Sequence, residues 1–570
     1  MEHTVVTEEK GVTSTGVPKQ APDVKIMDRS LFTRKEYHFL VAGVLIQAFF
    51  YSFEVNLGYN CQGAIVASFA ASSLISVLPT ILQTLSAALV PFYTKVSDVI
   101  GRAQALTFAM VFYLIGYIIQ GTSHGFLQFA LGQIFYGIGS TGMLTLTQVL
   151  IADTTLLINR GIVFALWDVS SVVNVFATQP LTDPLTGVGQ DWRRVYIISG
   201  VLAGLGAVAL LTPLWYLQKK VESRNTKVER RSVAWFLHEY DAIGAILITL
   251  GMSLTLLPLI LARSYEGNWR NGKILGMFIS GVICLGLLAL WEIRFTDKPI
   301  MPMRIWGNRT CFGGLIVLFF MTVMASMNWQ YYTLYLVVSR DLTFGRALLL
   351  ERGYQVAYQI FQLITALLMK RFNICRPFIW VGIVIHTVGI GLMIAARLPS
   401  STDAFVVISQ TIVGAAGGMA AIASSVAVTG SVDRKDIATV IGVTQILGSF
   451  GSAFGGAVAG GVWTQYLPTR LAHHITGPYD ENLALNSPLV YIPQLDPITK
   501  GQLVDAYADS QKLMSVIAMC LAIGACLCTV LMKPVDLHRD QFATEISPED
   551  TKTAFPESDN FVGEEKKSHV

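Results

Sequence analysis

The sequence predicts an all-α integral membrane protein with 14 transmembrane helices, arranged as two six-helix bundles with two inserted helices between them. Two observations support this fold class. Of the 570 residues, 53% are hydrophobic and 14% are charged, whereas soluble globular domains carry about 25% charged residues. The apolar residues also fall into separate runs, most of them long enough to cross a hydrocarbon core, which takes about 20 residues.

The order of these runs predicts the domain organisation. The predicted spans cover residues 39–57, 71–94, 104–121, 125–152, 161–180, 192–217, 240–262, 274–293, 311–337, 353–369, 377–396, 403–430, 436–461 and 513–532. We expect an N-terminal tail at 1–38, a first bundle at 39–217, a basic linker with the inserted helices at 218–310, a second bundle at 311–532 and a C-terminal tail at 533–570. A 6+2+6 pattern is typical of repeat-built transporters.

The distribution of cations predicts the orientation. With the N-terminus placed in the cytoplasm, 29 of the 41 Lys and Arg residues fall on the cytoplasmic side and 12 on the other, as the positive-inside rule requires. Both termini are therefore expected in the cytoplasm, and no cation falls in the middle of a predicted span. We expect the plasma membrane, with a vesicular or vacuolar membrane as the alternative.

Composition and motifs argue against several function classes. The net charge of +3 is too small to suggest a nucleic-acid partner. No GxxxxGK[ST] motif is present, which argues against an ATP-driven pump. The seven cysteines have no zinc-type spacing, so we expect no metal site and no cofactor, and we interpret the cysteines as small buried apolar residues.

A short charged motif, Asp98-Val-Ile-Gly101-Arg102, lies between the second and third predicted spans. A carboxylate and a guanidinium around a tight turn can latch two helices together, and Gly101 lets the backbone bend. A second charged segment, from Asp153 to Arg160, follows the fourth span. We expect these residues to act in gating; the alternative is an ordinary solvated loop.

The D-x-x-G-R pattern resembles the signature of the major facilitator superfamily. A more specific resemblance, to the fungal siderophore–iron transporter family, is carried by QVLIADTTLLINRG (148–161), YDAIGAILITLGMSLTLLPLILA (240–262), KPIMPMRIWGNRT (298–310) and a long outer loop at 462–512. The resemblance covers roughly residues 35–535. It implies proton-coupled uptake of ferric hydroxamate chelates, with relatives that handle haem or exchange glutathione. The fourth span lacks the arginine that superfamily members often carry, which removes one usual candidate for proton coupling. The fifth span lacks the glycine–proline motif of many drug antiporters, which lowers the case for drug export.

Two intramembrane carboxylates are candidates for proton coupling, because a buried acid is costly and usually serves a function. Glu54 lies late in the first span and Asp168 lies within the fifth. The alternatives are a headgroup position for Glu54 and a structural partnership of Asp168 with Asn174 or Gln179. His386 could relay protons in the same way, although a packing role is favoured.

Aromatic and amide side chains on the predicted central helices suit a bulky, polar chelate. The alternative for the tyrosines and tryptophans is an interfacial belt. In the outer loop, His473, His474 and Tyr507 could contact a ligand at the outer mouth, and its prolines favour an ordered lid. The predicted substrate-binding residues are Tyr51, Gln133, Tyr136, Trp167, Trp329, Gln330, Tyr332 and Tyr335.

The sequence therefore predicts a secondary transporter that imports ferric siderophore, or a similar bulky chelate, by alternating access. Its expected partners are that chelate, protons and membrane lipid. Haem transport, glutathione transport and proton/drug antiport on the same fold remain open. A transporter-like nutrient receptor is less favoured, because such receptors usually carry a large cytoplasmic signalling domain and these tails are short.

Overall fold

The computed structural model describes residues 33–68, 77–186, 192–224, 241–262, 267–296, 299–342, 344–433, 436–486 and 488–537. Within these ranges the chain is helical, with turns but no strand. Most of both predicted tails and much of the basic linker lie outside the described residues.

Among the described residues, 14 helices contain 20 residues or more. They are α1 (Arg34–Ser68), α2 (Val77–Ile100), α3 (Arg102–Gly121), α4 (Phe126–Thr154), α5 (Leu157–Thr186), α6 (Arg193–Arg224), α7 (Ala242–Leu261), α8 (Gly272–Arg294), α9 (Arg309–Trp329), α10 (Phe344–Phe372), α11 (Arg376–Ala396), α12 (Asp403–Gly430), α13 (Ile437–Gly461) and α14 (Pro497–Thr529). A short helix, Tyr332–Arg340, continues from α9 after a break.

Twelve helices in the described part of the chain are long and apolar enough to cross a membrane, judged by length and composition. This confirms a multi-pass helical membrane protein. The two predicted spans outside that set correspond to α2 and α10. On α10, Gln355, Gln359 and Gln362 share one face at helical spacing, and all three are at least partly covered by protein. The count of 14 spans stays a prediction.

The packing of the helices repeats between the two halves of the chain. In the first half, α1 packs on α5 and α6, α3 packs on α4 and α6, and α2 packs on α4. In the second half, α9 packs on α13 and α14, α11 packs on α12 and α14, and α10 packs on α12. Between the halves, α2 packs on α13 and α5 packs on α10. The same pairs recur when α1–α6 are matched to α9–α14, as in repeat-built transporters. The domain boundaries stay a prediction.

The two helices between these halves pack on each other, and α7 also packs on α2 and α13. Asp241 caps α7 and accepts a hydrogen bond from Trp291 Nε1 of α8 at 2.8 Å. Glu292 accepts two backbone N–H groups from residues 300 and 301, each at 3.1 Å. Asn308 caps α9 and donates to the Ser431 carbonyl at 2.7 Å. These polar contacts join the two inserted helices to each other, hold the segment that leads from α8 to α9, and fix the start of α9 beside the end of α12.

The two ends of the helix assembly need names. The tail face is the end at which α1 begins, at Arg34, and α14 ends, at Thr529. The loop face is the opposite end, which carries the connection between α13 and α14. The sequence predicts that the tail face is cytoplasmic.

The predicted outer loop at 462–512 is folded. A π-helical turn, Val462–Tyr466, prolongs α13 into the helix Leu467–His474, and shorter turns follow. The bounds of the loop stay a prediction, and its last part is also helical, because α14 begins at Pro497. Asp496 caps this helix, and the hydroxyl and backbone N–H of Thr499, with further backbone donors, lower the pKa of the Asp496 carboxyl.

An aromatic stack fastens this connection to the second half. The Trp463 ring lies 4.4 Å from the Tyr331 ring and 5.1 Å from the Tyr507 ring, centroid to centroid. Tyr507 is fully buried and donates its hydroxyl to the Ala484 carbonyl at 2.5 Å. The loop therefore packs as part of the core, which leaves Tyr507 poorly placed to meet a ligand.

Candidate functional site

A cavity of about 600 Å³ lies mainly within the first half of the molecule. Its wall comes from α1, α2, α3, α4 and α6, and is completed across the interface by α9 and α13. Four predicted site residues line it, namely Tyr51, Glu54, Gln133 and Tyr136. A volume of this size is typical of small-molecule sites.

Glu54 is held in a cluster of tyrosines. Its side chain is 2% exposed, and it accepts a hydrogen bond from the Tyr113 hydroxyl. The Tyr113 ring centroid lies 5.2 Å from those of Tyr117 and Tyr136. The second carboxylate oxygen, Oε2, has no hydrogen-bond partner in the described structure. Because an ionised carboxylate accepts through both oxygens, Oε2 can bind a proton or a donor group of a ligand.

The close approach of α3 and α4 creates this tyrosine cluster. Tyr113 and Tyr117 are four residues apart, so both lie on one face of α3. A Cβ atom on Gly116 would lie 2.4 Å from the Tyr136 backbone nitrogen, and one on Gly139 would lie 2.3 Å from the Tyr113 backbone nitrogen. Only glycine fits at both crossings, as is usual where membrane helices touch. Tyr113 and Tyr117 were not among the predicted site residues. The tyrosines and glycines that lie at helical spacing on two adjacent spans could have indicated them.

The cavity wall holds several polar groups and one carboxyl group. Gln120 lines it, and neither amide atom has a hydrogen-bond partner among the described residues. Further polar groups come from Gln83, Gln445 and several serines and threonines. Glu54 is the one ionisable acid among the described lining residues, and no Lys, Arg or His is found there. The neighbouring segment 62–78 contains no charged residue at all.

Asp168 and Trp167 lie apart from this cavity. They line a second, smaller cavity of about 90 Å³ between the halves, together with Gln148 and Gln362. The Trp167 ring lies 5.6 Å from the Tyr51 ring, centroid to centroid. Tyr51 therefore separates the two predicted proton sites, and the structure places Asp168 nearer the tail face.

The predicted residues of the second half lie elsewhere. Tyr332 and Tyr335 are buried in the core, where the Arg397 guanidinium covers the Tyr332 ring at 3.5 Å and Tyr335 donates to the Arg397 carbonyl at 2.6 Å. Trp329 stacks on Tyr354 at 4.0 Å, and Gln330 follows directly at the end of α9. None of these four predicted residues is on the wall of the larger cavity. Their role in substrate binding stays a prediction.

The predicted histidines differ in their surroundings. His474 Nε2 lies 3.0 Å from the Asp509 carboxylate, whereas His473 is exposed. His386 is 3% exposed, and its Nδ1 has no hydrogen-bond partner in the described structure. Within the described ranges, no three His, Cys, Asp or Glu side chains come together as a metal site.

The predicted gating motif forms a turn at the tail face. Gly101 has a φ of 105°, a conformation that residues with a Cβ rarely adopt. Arg102 pairs with Asp153 at 3.0 Å and donates to Ser97 at 2.6 Å. The Asp98 side chain lies outside the described residues. Arg102 of α3 therefore joins the ends of three helices, because it contacts Ser97 of α2 and Asp153 of α4.

Arg160 is fully buried at the start of α5. It donates from Nη2 to the Ala152 carbonyl at 3.2 Å, while Nε and Nη1 have no hydrogen-bond partner among the described residues. A buried guanidinium with free donors is costly. Arg160 is therefore placed to change partners when the helices around it move.

Residues 39–349 match the family model of the Major Facilitator Superfamily. The chain belongs to the major facilitator superfamily. It is thus a membrane transporter and not an enzyme, and the predicted superfamily resemblance is confirmed.

Curated relatives within this superfamily confirm the more specific resemblance. The chain is 27% identical over 510 residues to a siderophore transporter of Mycosarcoma maydis, covering 83% of this chain and 76% of the relative. It is 26% identical to a siderophore iron transporter of Emericella nidulans, covering 83% and 80%. A siderophore iron transporter of Saccharomyces cerevisiae is 25% identical, with 85% and 80% covered.

Solved structures of superfamily transporters show the same fold. A peptide-bound transporter of the POT family superposes with a TM-score of 0.57 at 13% identity, covering 90% of this chain and 100% of that one. A proton:xylose symporter superposes with a TM-score of 0.52 at 14% identity, covering 87% and 95%. At this identity the likeness shows the fold alone.

Proposed function

We propose that this chain is a proton-coupled secondary transporter that imports ferric siderophore chelates by alternating access. The observation that carries the proposal is the cavity of about 600 Å³, whose described wall is aromatic and amide-rich and holds Glu54 as its one ionisable acid. The siderophore transporters to which the chain is similar support the substrate class.

The charge of the wall favours an electroneutral cargo. Three hydroxamate anions neutralise one ferric ion, so a ferric trihydroxamate centre carries no net charge. Its oxygens can accept from the amide of Gln120 or Gln133 and from the hydroxyls of Tyr51 and Tyr136, all of which line the cavity. Aromatic rings can cover the apolar parts of such a ligand.

The same wall disfavours the two anionic alternatives. Haem carries two propionates, and glutathione carries a net negative charge at neutral pH. Burying an anion without a cationic partner is costly, and the described wall offers no Lys, Arg or His. Of the substrates left open by the sequence, the ferric chelate therefore matches the site best.

The contacts between the halves support alternating access. At the tail face these contacts are apolar: Leu157 and Ala165 of α5 pack among residues of α10 and α12, and Val149 and Ala152 of α4 pack among residues of α9, α12 and α13. At the loop face, the contacts between α1, α5 and α10 are polar. Two interfaces of different chemistry at the two ends can open separately, as rocking bundles require.

The proposal assigns proton coupling to Glu54 and Asp168 and gating to Gly101, Arg102 and Arg160. Each carboxyl faces a cavity, so each can reach water when its cavity opens. With the tail face in the cytoplasm, both termini are cytoplasmic and import runs from the loop face to the tail face. The plasma membrane suits this direction of transport.

The experiment that tests the proposal is an uptake panel in cells that lack their own chelate transporters. Radiolabelled iron is supplied as a neutral ferric trihydroxamate or as an anionic ferric catecholate, with labelled haem and labelled glutathione alongside. We expect saturable uptake of the neutral chelate that rises in acidic medium and is lost when a protonophore collapses the gradient. Cells carrying the empty vector give the background.

The outcomes separate the candidate substrates. Absence of saturable, pH-dependent uptake for every ferric chelate would refute the siderophore assignment. Preferential uptake of haem or glutathione would contradict the charge argument and leave the transporter fold untouched. Uptake that ignores the protonophore would remove proton coupling while keeping the chelate.

A further inference from the structure

A polar contact joins the two halves at the loop face. Three residues near the start of α10 reach α1 and α5: Glu351 accepts from the Tyr59 hydroxyl at 3.0 Å, Arg352 donates to the side-chain oxygen of Asn60, and Gln355 donates to Ser171 at 3.1 Å. We call this set the loop-face junction. It joins the first half to the second at the end of the molecule opposite the tail-face clusters.

Glu351 is the acid of this junction. It is 7% exposed, and both carboxylate oxygens receive hydroxyl donors, Oε1 from Tyr59 of α1 and Oε2 from Thr333 of the short helix after α9. An ionised carboxylate only accepts hydrogen bonds, so two donors match its charged form. Such charge-assisted bonds are stronger than neutral ones.

Several charged or titratable groups surround Glu351. Arg352, its neighbour on α10, is engaged with Asn60 and with Gln355 at 2.7 Å. Arg397, at the end of α11, is fully buried and acts on Glu351 electrostatically. Tyr59 and Tyr332 face it from α1 and from the short helix. Burial disfavours the ionised carboxylate, the two guanidinium groups and the two hydroxyl donors favour it, and the phenols do not compete with it for a proton.

Tyr59 connects the junction to the cavity. Its side chain lines the cavity wall and is 43% exposed, while its hydroxyl donates to Glu351. Parting the two halves at the loop face would widen the cavity, whose wall includes α9 and α13 of the second half. The same movement would separate α1 from α10, because the junction joins these helices. Ionised Glu351 opposes that separation, since the buried carboxylate would lose a donor that it needs.

We propose that Glu351 and Tyr59 form a proton-sensitive latch, in which a proton taken up by Glu351 from the loop face releases Tyr59 and opens the cavity to that side. Protonation removes the charge and turns one acceptor oxygen into a donor, so the bond from Tyr59 weakens. The proposal rests on the proposed transport function for its purpose, and it adds a coupling acid distinct from Glu54. A proton on the outer side would thereby admit the cargo.

The test measures opening directly and needs no substrate. A cysteine is placed on the cavity wall as Ser140→Cys, and intact cells are treated with a membrane-impermeant thiol reagent in acidic and in neutral medium. The full chain without the added cysteine gives the background from its native cysteines. Each labelling rate is divided by the rate at which the reagent reacts with a free thiol at the same pH, because the thiolate is the reacting form. We expect this corrected rate for Ser140→Cys to be several-fold higher in acidic medium.

Variants of the latch should remove this pH dependence. With Glu351→Gln or with Tyr59→Phe added, labelling should be fast in both media. A matched control is Asp403→Asn, which removes an exposed acid paired with Arg340 at the same face and should keep the parental pH dependence. If Glu351→Gln fails to reach the cell surface, Tyr59→Phe still tests the latch, because this variant removes the hydroxyl donor and leaves the acid in place.

Three results would overturn the latch: pH-independent labelling of the parent, an unchanged pH response in Tyr59→Phe or Glu351→Gln, or loss of the response in Asp403→Asn. Failure of the proposed function looks different. In that case labelling still follows the pH through Glu351, while no ferric chelate is accumulated.

Discussion

At the scale of single residues, Glu54 is the buried acid to which the proposed function assigns proton exchange. One carboxylate oxygen accepts from Tyr113, and the other has no hydrogen-bond partner among the described residues. The phenol holds the side chain in place while the free oxygen stays available. A fixed carboxyl with one open site suits a group that gains and loses a proton with each cycle.

Replacing Glu54 with glutamine should abolish proton-driven accumulation of the chelate while leaving exchange across the membrane measurable. The amide keeps the size of the side chain and its acceptor oxygen but cannot carry a proton. Accumulation and counterflow of the same labelled chelate are compared in cells. Glu36→Gln is the matched control on α1, because Glu36 pairs with Lys220 at 2.5 Å near the tail face, outside the cavity.

Full accumulation by Glu54→Gln would remove this acid from the coupling mechanism. Equal loss of accumulation and counterflow would instead assign Glu54 to ligand binding. A defect in Glu36→Gln would show that the assay responds to any acid lost from α1.

Sequence reasoning found some of these residues and missed others for definable reasons. Glu54 could be found because an acid inside an apolar run is conspicuous. Glu351 and Arg352 were missed because the tenth span was predicted to begin at 353, so both were placed in an outer loop. The hydropathy of a glutamine-rich helix covered by protein does not mark its boundary. Arg397 was likewise assigned to a loop, yet it is fully buried.

At the scale of helices, the site depends on how closely α3 and α4 approach. Their crossings at Gly116 and Gly139 leave no room for a side chain, and this contact brings three tyrosines to Glu54. Twelve of the long helices in the described part of the chain can be found from their hydropathy. Which faces meet cannot be found in this way, because in a membrane the packing depends on small residues and shape rather than on burial of apolar surface.

Gly139→Ala should destabilise the protein and impair transport together. The new methyl would meet the Tyr113 backbone, which cannot move aside cheaply, so a cost of about 1–3 kcal/mol is expected from overpacking. Gly204→Ala is the matched control, because no atom lies within 4 Å of a Cβ at that position on α6. There the exchange should be neutral or stabilising by up to about 1 kcal/mol.

Thermal unfolding of the detergent-solubilised proteins measures both changes. A melting temperature for Gly139→Ala equal to that of the parent would contradict the tight crossing. A fall in Gly204→Ala of the same size would mean that any helical glycine is needed, whatever its surroundings.

At the scale of the whole molecule, the two ends of the interface differ in chemistry. Apolar clusters close the tail face and hydrogen bonds between side chains close the loop face. Between these two ends, Gln445 of α13 donates to Gln148 of α4 at 2.6 Å. This bond lies between the two cavities, because Gln445 lines the larger one and Gln148 lines the smaller one. Each end can therefore be weakened without touching the other, and the balance of states follows from their relative stability.

Gly161→Leu should shift that balance towards the state open at the tail face. Gly161 of α5 faces the other half, and a Cβ there would lie 3.0 Å from Val426, 3.5 Å from Met369 and 3.7 Å from Ala366. A leucine side chain needs more space than this, so it should push α5 away from α10 and α12. Because the proposed mechanism opens the two ends alternately, the cavity should become less accessible from the loop face.

The thiol-labelling assay on Ser140→Cys measures this shift, with slower labelling of the Gly161→Leu variant expected in acidic medium. Gly204→Leu is the matched control, because it adds the same side chain where no neighbour lies within 4 Å, and it should label like the parent. Faster labelling of Gly161→Leu would mean that the wedge opens both ends together, which is incompatible with two separately closing interfaces. Unchanged labelling, at normal surface expression, would mean that the tail-face cluster absorbs the leucine without any change of state.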